Sequence, residues 1–214
     1  MVLATRNAHK VVELREILAQ VLREAGGDLA LLDSVVGVAD FADVPDVVET
    51  GVTFADNALL KARVVARATG LPALADDSGL AVDVLGGAPG VFSARWAGRH
   101  GDDHANLDLL LAQVADVPDE YRGARFVCAA ALVTPDSNER VELGEVRGTL
   151  TRAPRGDGGF GYDPIVRIED GRTMAELSAS EKNAISHRGK ALRALAPRVV
   201  ALLSAGVGSK PGLV

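Results

Sequence analysis

Residues Phe126 to Val133 read Phe-Val-Cys-Ala-Ala-Ala-Leu-Val, and after a short polar break a second β-prone stretch runs from Glu139 to Leu150. An apolar run this short falls far below the roughly 18 residues of a membrane span and suits a buried strand. Taken as Ala124 to Val133 and Glu139 to Leu150, the two stretches predict a β-hairpin. Ahead of it, helix and strand signals alternate. Met1 to Ala4 is a short buried-strand candidate. A helix follows from about Ala8 to Ala25, on the spacing of Val12, Leu14, Ile17, Leu18, Val21 and Leu22, and Gly26-Gly27 ends it. Leu29 to Leu32 predicts the next strand, and Val35 to Gly51 an acidic connection containing Pro45. Thr53-Phe-Ala-Asp56 has capping-box form, opening a helix that Gly70 and Pro72 stop after Thr69.

Leu74-Ala75 and Leu80 to Val84 predict strands around an Asp76-Asp77-Ser78-Gly79 turn, and Asn106 to Val114 a third helix. Ser178 and Glu181 form another capping box. Ser186 caps a final helix that Pro197 should kink or interrupt. Alternating elements of this kind fit one α/β domain, residues 1–205, better than two independent ones, with 206–214 as a frayed, flexible tail.

Charge and cysteine content narrow the function. A net charge of -6 speaks against wrapping a nucleic-acid polymer, which needs a basic face, but leaves a mononucleotide open, since that needs only a few local cations. The only cysteine, Cys128, lies in the apolar run and reads as core, so no disulfide framework exists. With no signal sequence and no span, a soluble cytoplasmic protein without membrane partners is expected.

Four groups of residues could carry chemistry. Thr5, Asn7 and Lys10 sit where a strand gives way to a helix, a place whose free backbone donors favour anions such as a polyphosphate. The Walker pattern is absent, and a plain helix start remains the alternative. Glu49 and the Asp76-Asp77 pair are acids from separate segments, a usual way to hold Mg²⁺, while turn chemistry is the bland reading. Adjacent residues point to opposite faces, so only one aspartate should face a given cleft.

Gly156 to Gly161 matches Gly-x-Gly-x-x-Gly, but Pro164 and the β-rich 165–168 follow instead of a helix, so a dinucleotide fold is rejected. Phe160 and Tyr162 in that glycine-rich loop offer two aromatic faces for a flat ring, or are simply core. Lys182 with Ser186-His187-Arg188 supplies donors that suit a keto oxygen and would oppose an exocyclic amine; a capped helix with a solvated arginine is the competing view.

The ordered set Thr-x-Asn-x-x-Lys (5–10), Glu-Thr-Gly (49–51), Phe-x-Asp-Asn-Ala-x-x-Lys (54–61), Ala-Asp-Asp-Ser-Gly-Leu (75–80), Gly-Gly-x-Pro-Gly (86–90), Gly-Gly-Phe-Gly-Tyr-Asp-Pro (158–164) and Ser-His-Arg (186–188) closely resembles the Ham1 family of inosine triphosphate pyrophosphatases. The resemblance implies an elongated mixed central β-sheet flanked by helices, with the site in a cleft between two lobes. It also implies a homodimer that uses Mg²⁺ to convert ITP, dITP and XTP to monophosphate and pyrophosphate, cleansing the nucleotide pool.

Carried over by position, Asp77 is the expected general base and a metal ligand, Glu49 a second metal ligand, and Ser78 a substrate contact. Thr5, Asn7, Lys10 and Lys61 would hold the triphosphate; Phe160, Gly161, Tyr162, Asp163, Lys182, His187 and Arg188 the base. Arg6 and His9 stand where many members have small residues and receive no role, and Asp56 replaces a more frequent Glu. A Maf-like pyrophosphatase is disfavoured by Ser-His-Arg and the Phe-Gly-Tyr-Asp loop, and a non-catalytic binding module by the intact Asp77 and Glu49.

Overall fold

The apolar run and its alternating partner pair as expected, and they anchor a six-stranded mixed sheet. The structure is a computed structural model describing residues 1–207, with the side chains of 8, 9 and 205–207 outside the description. The strands are β1 (Val2–Leu3), β2 (Val36–Gly37), β3 (Ala73–Val82), β4 (Gly123–Val133), β5 (Glu139–Leu150) and β6 (Val166–Arg167), in the spatial order β2-β1-β3-β4-β5-β6. The first three are parallel neighbours, and from β3 onward every pairing is antiparallel.

The helices are α1 (Ala8–Glu24), α2 (Phe54–Thr69), α3 (Asp103–Gln113), α4 (Ala179–Ile185) and α5 (His187–Val207). Apolar faces of α1 and α5 bury Leu14, Ile17, Leu18, Leu192 and Leu195 against Leu3, Leu74, Cys128, Ala130 and Leu132 on one side of the sheet. Across the sheet α2 packs Ala58, Ala62 and Val65 on Val2, Ala73, Ala75, Ala129 and Ala131, where the small strand residues let the helix approach closely. A third cluster joins Leu107 and Leu110 of α3 to Leu80, Val82, Phe126, Val146 and Leu150. Burial pushes the Cys128 thiol up to about 12, which keeps it an inert core residue. Among the described residues no helix is long and apolar enough to cross a membrane.

Local signals set several boundaries. Thr53 Oγ accepts from the Asp56 amide (3.1 Å) and Asp56 Oδ2 accepts from the Thr53 amide (3.2 Å), so the shorter acid still closes the box; Gly70 ends α2 in the left-handed region. Replacing Thr53 with alanine is expected to lower stability by about 1 kcal/mol in urea titration. An unchanged midpoint would show that α2 is held by packing alone.

Three expectations need correction. Residues 29–32 form no strand but belong to a 3-10 helix, Leu29–Ser34, because Asp28 accepts from the Ala30 amide (2.9 Å) and starts a turn; the strand is supplied by Val36–Gly37. Asp76 to Gly79 is no turn, since β3 runs unbroken through it, paired to Ala130, Ala129, Cys128 and Val127 of β4. Ladder pairing and partners for the acidic side chains there override local turn preference. Pro197 does not interrupt α5, whose Leu195, Val199 and Leu203 are buried on either side of it. Of the expected tail, residues 208–214 lie outside the described residues.

Candidate active site

The site arises from unequal strand lengths. β1 stops at Leu3, opposite Leu74, while β3 continues to Val82. Farther along, the Gly90–Arg95 turn covers the same edge, with Ser93 Oγ accepting from the Leu80 amide at 2.9 Å. That approach requires Gly79, where a Cβ would lie 2.4 Å from Ser93 Oγ and 2.6 Å from the Gly90 carbonyl. Between these two covers, Asp77 to Gly79 border a cavity of about 430 Å³ that also reaches Thr5, Lys10, Glu49, Lys61, Phe160 and His187.

Alternation along β3 divides the acids as the sequence requires. Asp77 shares the Ala75 side and meets α2: Lys61 Nζ donates to Asp77 Oδ1 (3.0 Å) and Glu49 Oε1 (2.8 Å). Asn57 Nδ2 donates to Asp77 Oδ2 (3.2 Å), while its Oδ1 accepts from the Gly51 amide (2.8 Å), tying the Glu49 segment to the same helix. Burial pushes the Asp77 carboxyl up despite Lys61 beside it. Glu49 is also penalised by burial, but Lys61, Lys10 and Arg95 outweigh that and hold it low. One ammonium shared by two carboxylates leaves the more buried acid undercompensated.

Asp76 lies on the Leu74 side, fully buried, where Lys10 Nζ and Arg188 Nε each donate to its Oδ2 at 3.1 Å. Burial opposes its charge, yet Lys10, Arg188 and Lys61 hold it far below the usual carboxylate range. Thr5 Oγ accepts from the Asn7 amide and Asn7 Oδ1 from the Lys10 amide, both at 3.3 Å, so this loop caps α1 while lining the cavity. Among the described residues no cluster of three or more His, Cys, Asp or Glu could hold a metal by itself. The pair Glu49 and Asp77, hard oxygen donors from separate segments, fits Mg²⁺, which takes one or two carboxylates and fills its shell with water and phosphate oxygens.

At the other end, Phe160 is 37% exposed, with Lys182 Nζ 4.8 Å and Arg188 Cζ 5.8 Å from its ring centroid. Asp163 Oδ2 accepts from Lys182 Nζ (2.6 Å) and the Phe160 amide (2.8 Å). The loop folds over that carboxylate because residue 159 is glycine, with φ +74° and a Cβ position 2.1 Å from Asp163 Oδ2. Asp103 Oδ2 accepts from the Gly161 amide at 3.0 Å.

The expected pair of aromatic faces is therefore a single one. Tyr162 is core, 5% exposed, with its hydroxyl donating to the Ser93 carbonyl (2.9 Å). His187 is buried and stacks on Phe126, centroids 5.0 Å apart and planes at 13°. Burial, then Arg188 and Lys182, hold its imidazole well below 6.5, hence neutral at pH 7, and its Nδ1 has no partner among the described residues. Arg188 is not solvated: beyond Asp76, its Nη1 donates to Glu13 Oε2 (2.5 Å) and Nη2 to Ser78 Oγ (3.0 Å).

Every residue given a site role by the resemblance thus borders this cavity, whereas Asp76 and Ser186, also singled out from the sequence, are buried behind it and do not. Asn57, Glu13, Asp103, Ser93 and Phe126 had not been singled out for the site. Glu13 stands one helical turn after Lys10, a spacing that could have found it. Asp103 and Phe126 contribute only through tertiary contacts.

Fold and cavity together define an α/β protein with an anion-facing, carboxylate-bearing cleft that ends in an aromatic shelf. The chain belongs to the Ham1 family, whose model it matches over residues 1–198. A Streptomyces coelicolor protein called dITP/XTP pyrophosphatase is 65% identical over 204 residues, covering 95% of this chain and 98% of that one. A Mycobacterium tuberculosis protein of the same name is 55% identical, covering 94% and 96%. The solved Ham1 protein of Coxiella burnetii superposes with a TM-score of 0.80 at 41% identity, covering 94% of this chain and 98% of that one.

Proposed function

We propose that this chain hydrolyses ITP, dITP and XTP to the monophosphate and pyrophosphate, with Mg²⁺, and so removes non-canonical purines from the nucleotide pool. The observation that carries this reading is the single cavity holding Glu49, Lys61 and Asp77 at one end and Phe160, Lys182 and His187 at the other. Asp77 is the general base and a metal ligand, and Glu49 the second ligand. The ion, when bound, neutralises phosphate charge.

Asp77 accepts the proton of a water directed at the α-phosphorus. Thr5, Asn7, Lys10 and Lys61 take the triphosphate, and transfer of the Lys61 ammonium from Glu49 and Asp77 to a phosphate frees both carboxylates. Phe160 stacks the base, with Gly161 and the buried Tyr162 shaping the shelf. Asp163 orients Lys182, and His187, Arg188 and Ser78 read the ring edge. The active unit is one two-lobed domain, residues 1–205, acting as a cytoplasmic homodimer. This oligomeric state rests on the resemblance, and sedimentation at micromolar concentration should give twice the chain mass.

Two measurements test the reading. In the metal-free chain the Asp77 carboxyl should titrate above the ordinary aspartate value of 3.8, because burial raises it, and NMR of the carboxyl carbon follows that titration. A titration at or below 3.8 contradicts that environment. In a substrate panel, ITP, dITP and XTP should exceed ATP and GTP in kcat/KM by about two orders of magnitude or more, since a mismatched ring edge leaves buried donors unpaired. Equal rates on ATP would remove the keto-reading proposal.

A further inference from the structure

Arg6, which received no role from the sequence, reaches out of the phosphate-facing loop to the connection that carries Glu49. Its Nη2 donates to the Val44 carbonyl (2.7 Å) and its Nε lies 2.7 Å from Asp46 Oδ1. Arg6, Val44, Pro45, Asp46, Val47 and Glu49 all border the active-site cavity. Residues 41–53 have neither helix nor strand, and Val44 is buried while Val48 and Val52 are exposed, so apolar burial fixes this stretch near Val44 and weakly beyond it. Glu49 itself is held mainly by Lys61, the cation that a bound phosphate would draw away.

We propose that Arg6 is a positioning residue that straps the 44–49 segment to the loop of Thr5, Asn7 and Lys10. The strap keeps Glu49 facing Asp77 when Lys61 turns to the substrate. A guanidinium suits this task because its planar fork serves a backbone carbonyl and a carboxylate together, which an ammonium cannot do in the same geometry. The exposed Asp46 pair alone is a weak tether, with side-chain exposures of 48% and 88%. The Val44 carbonyl bond, made at a buried residue, sets the register. The catalytic consequence rests on the function proposed above, whereas the strap itself does not.

The test compares wild type, Arg6→Ala, Arg6→Lys and Asp46→Asn by hydrogen exchange of residues 42–50 in the metal-free chain and by Mg²⁺ titration of ITP turnover. Loss of the strap in Arg6→Ala should speed exchange in that segment by about tenfold. It should also raise the half-saturating Mg²⁺ by about tenfold, with a smaller loss in kcat at saturating Mg²⁺ and an unchanged melting temperature. Arg6→Lys should fall between, and Asp46→Asn, which keeps the Val44 bond, should stay near wild type. Unchanged exchange in Arg6→Ala overturns the proposal. So does a raised KM for ITP at every Mg²⁺ concentration with unchanged exchange, which would make Arg6 a direct phosphate contact. Should the wild type fail to turn over ITP, the exchange arm still decides the strap, so the two readings fail separately.

Discussion

Asp77→Asn is expected to lower kcat for ITP by about three orders of magnitude or more while leaving the fold intact, because the substitution removes both the proposed proton acceptor and one of the two carboxylates proposed to hold the metal. The amide keeps one of the two acceptors: Lys61 can still donate to its oxygen and retains Glu49, while the Asn57 amide loses its acceptor. That loss is offset by relief of a buried charge. A carboxyl whose pKa is raised in the folded state binds its proton more tightly there than in the unfolded chain, so its ionisation costs stability once the pH exceeds its unfolded pKa, near 3.8. At neutral pH the ionised Asp77 is a burden on the fold, and the neutral amide relieves it. A melting temperature close to that of the wild type with lost turnover is the expected combination. Wild-type rates would sink the assignment of the base, and collapse of the fold would show that Asp77 is structural.

The second large effect concerns Arg188, where a view based on solvated donors alone would expect a change in selectivity. The guanidinium is 1% exposed and joins Asp76, Glu13 and Ser78, so Arg188→Ala takes from the buried Asp76 one of its two cationic partners, leaving Lys10, and takes from Glu13 its arginine. Breaking a buried pair in this way costs about 3–5 kcal/mol. Denaturant unfolding at pH 7 should show a loss of that size, beyond any erosion of discrimination against GTP and ATP.

The pH dependence carries a definite sign. Asp76 is held well below its ordinary 3.8 by Lys10 and Arg188 against the opposition of burial. It therefore contributes stability that is present above pH 4 and lost as the pH falls through its depressed folded value. In Arg188→Ala part of that acid-sensitive component should disappear, so the mutant and wild-type stability curves should converge toward low pH. Curves that stay parallel down to pH 2 would mean that Arg188 does not stabilise the Asp76 charge.

Much of this architecture was legible from residues alone. The hairpin, both capping boxes, the Cys128 core position and the opposite facing of Asp76 and Asp77 all follow from local periodicity or cap chemistry, which act within a few residues. The failures share a cause. Asp76 to Gly79 has turn composition, and only the ladder to β4 together with Lys10, Arg188, Asn57 and Lys61 makes it a strand. Tyr162 sits in a loop that promised two open faces, and the carbonyl of Ser93, sixty-nine residues away, draws it into the core.

The site was recognisable as a set of motifs but not as a wired network. Glu13, Asp103 and Arg6 act through partners 175, 58 and 38 residues distant, and only Glu13, one helical turn after Lys10, carries a local sign of it. Arg6 in particular looked like a departure from the family pattern, while the structure gives it a partner on the Glu49 segment.

Single turnover of ITP in H₂¹⁸O with Mg²⁺, followed by mass analysis of both products, bears most directly on the central claim. Attack of an Asp77-activated water on the α-phosphorus predicts that the label enters inosine monophosphate alone, beside unlabelled pyrophosphate and without orthophosphate. Label in pyrophosphate, release of orthophosphate, or no hydrolysis at all would contradict it.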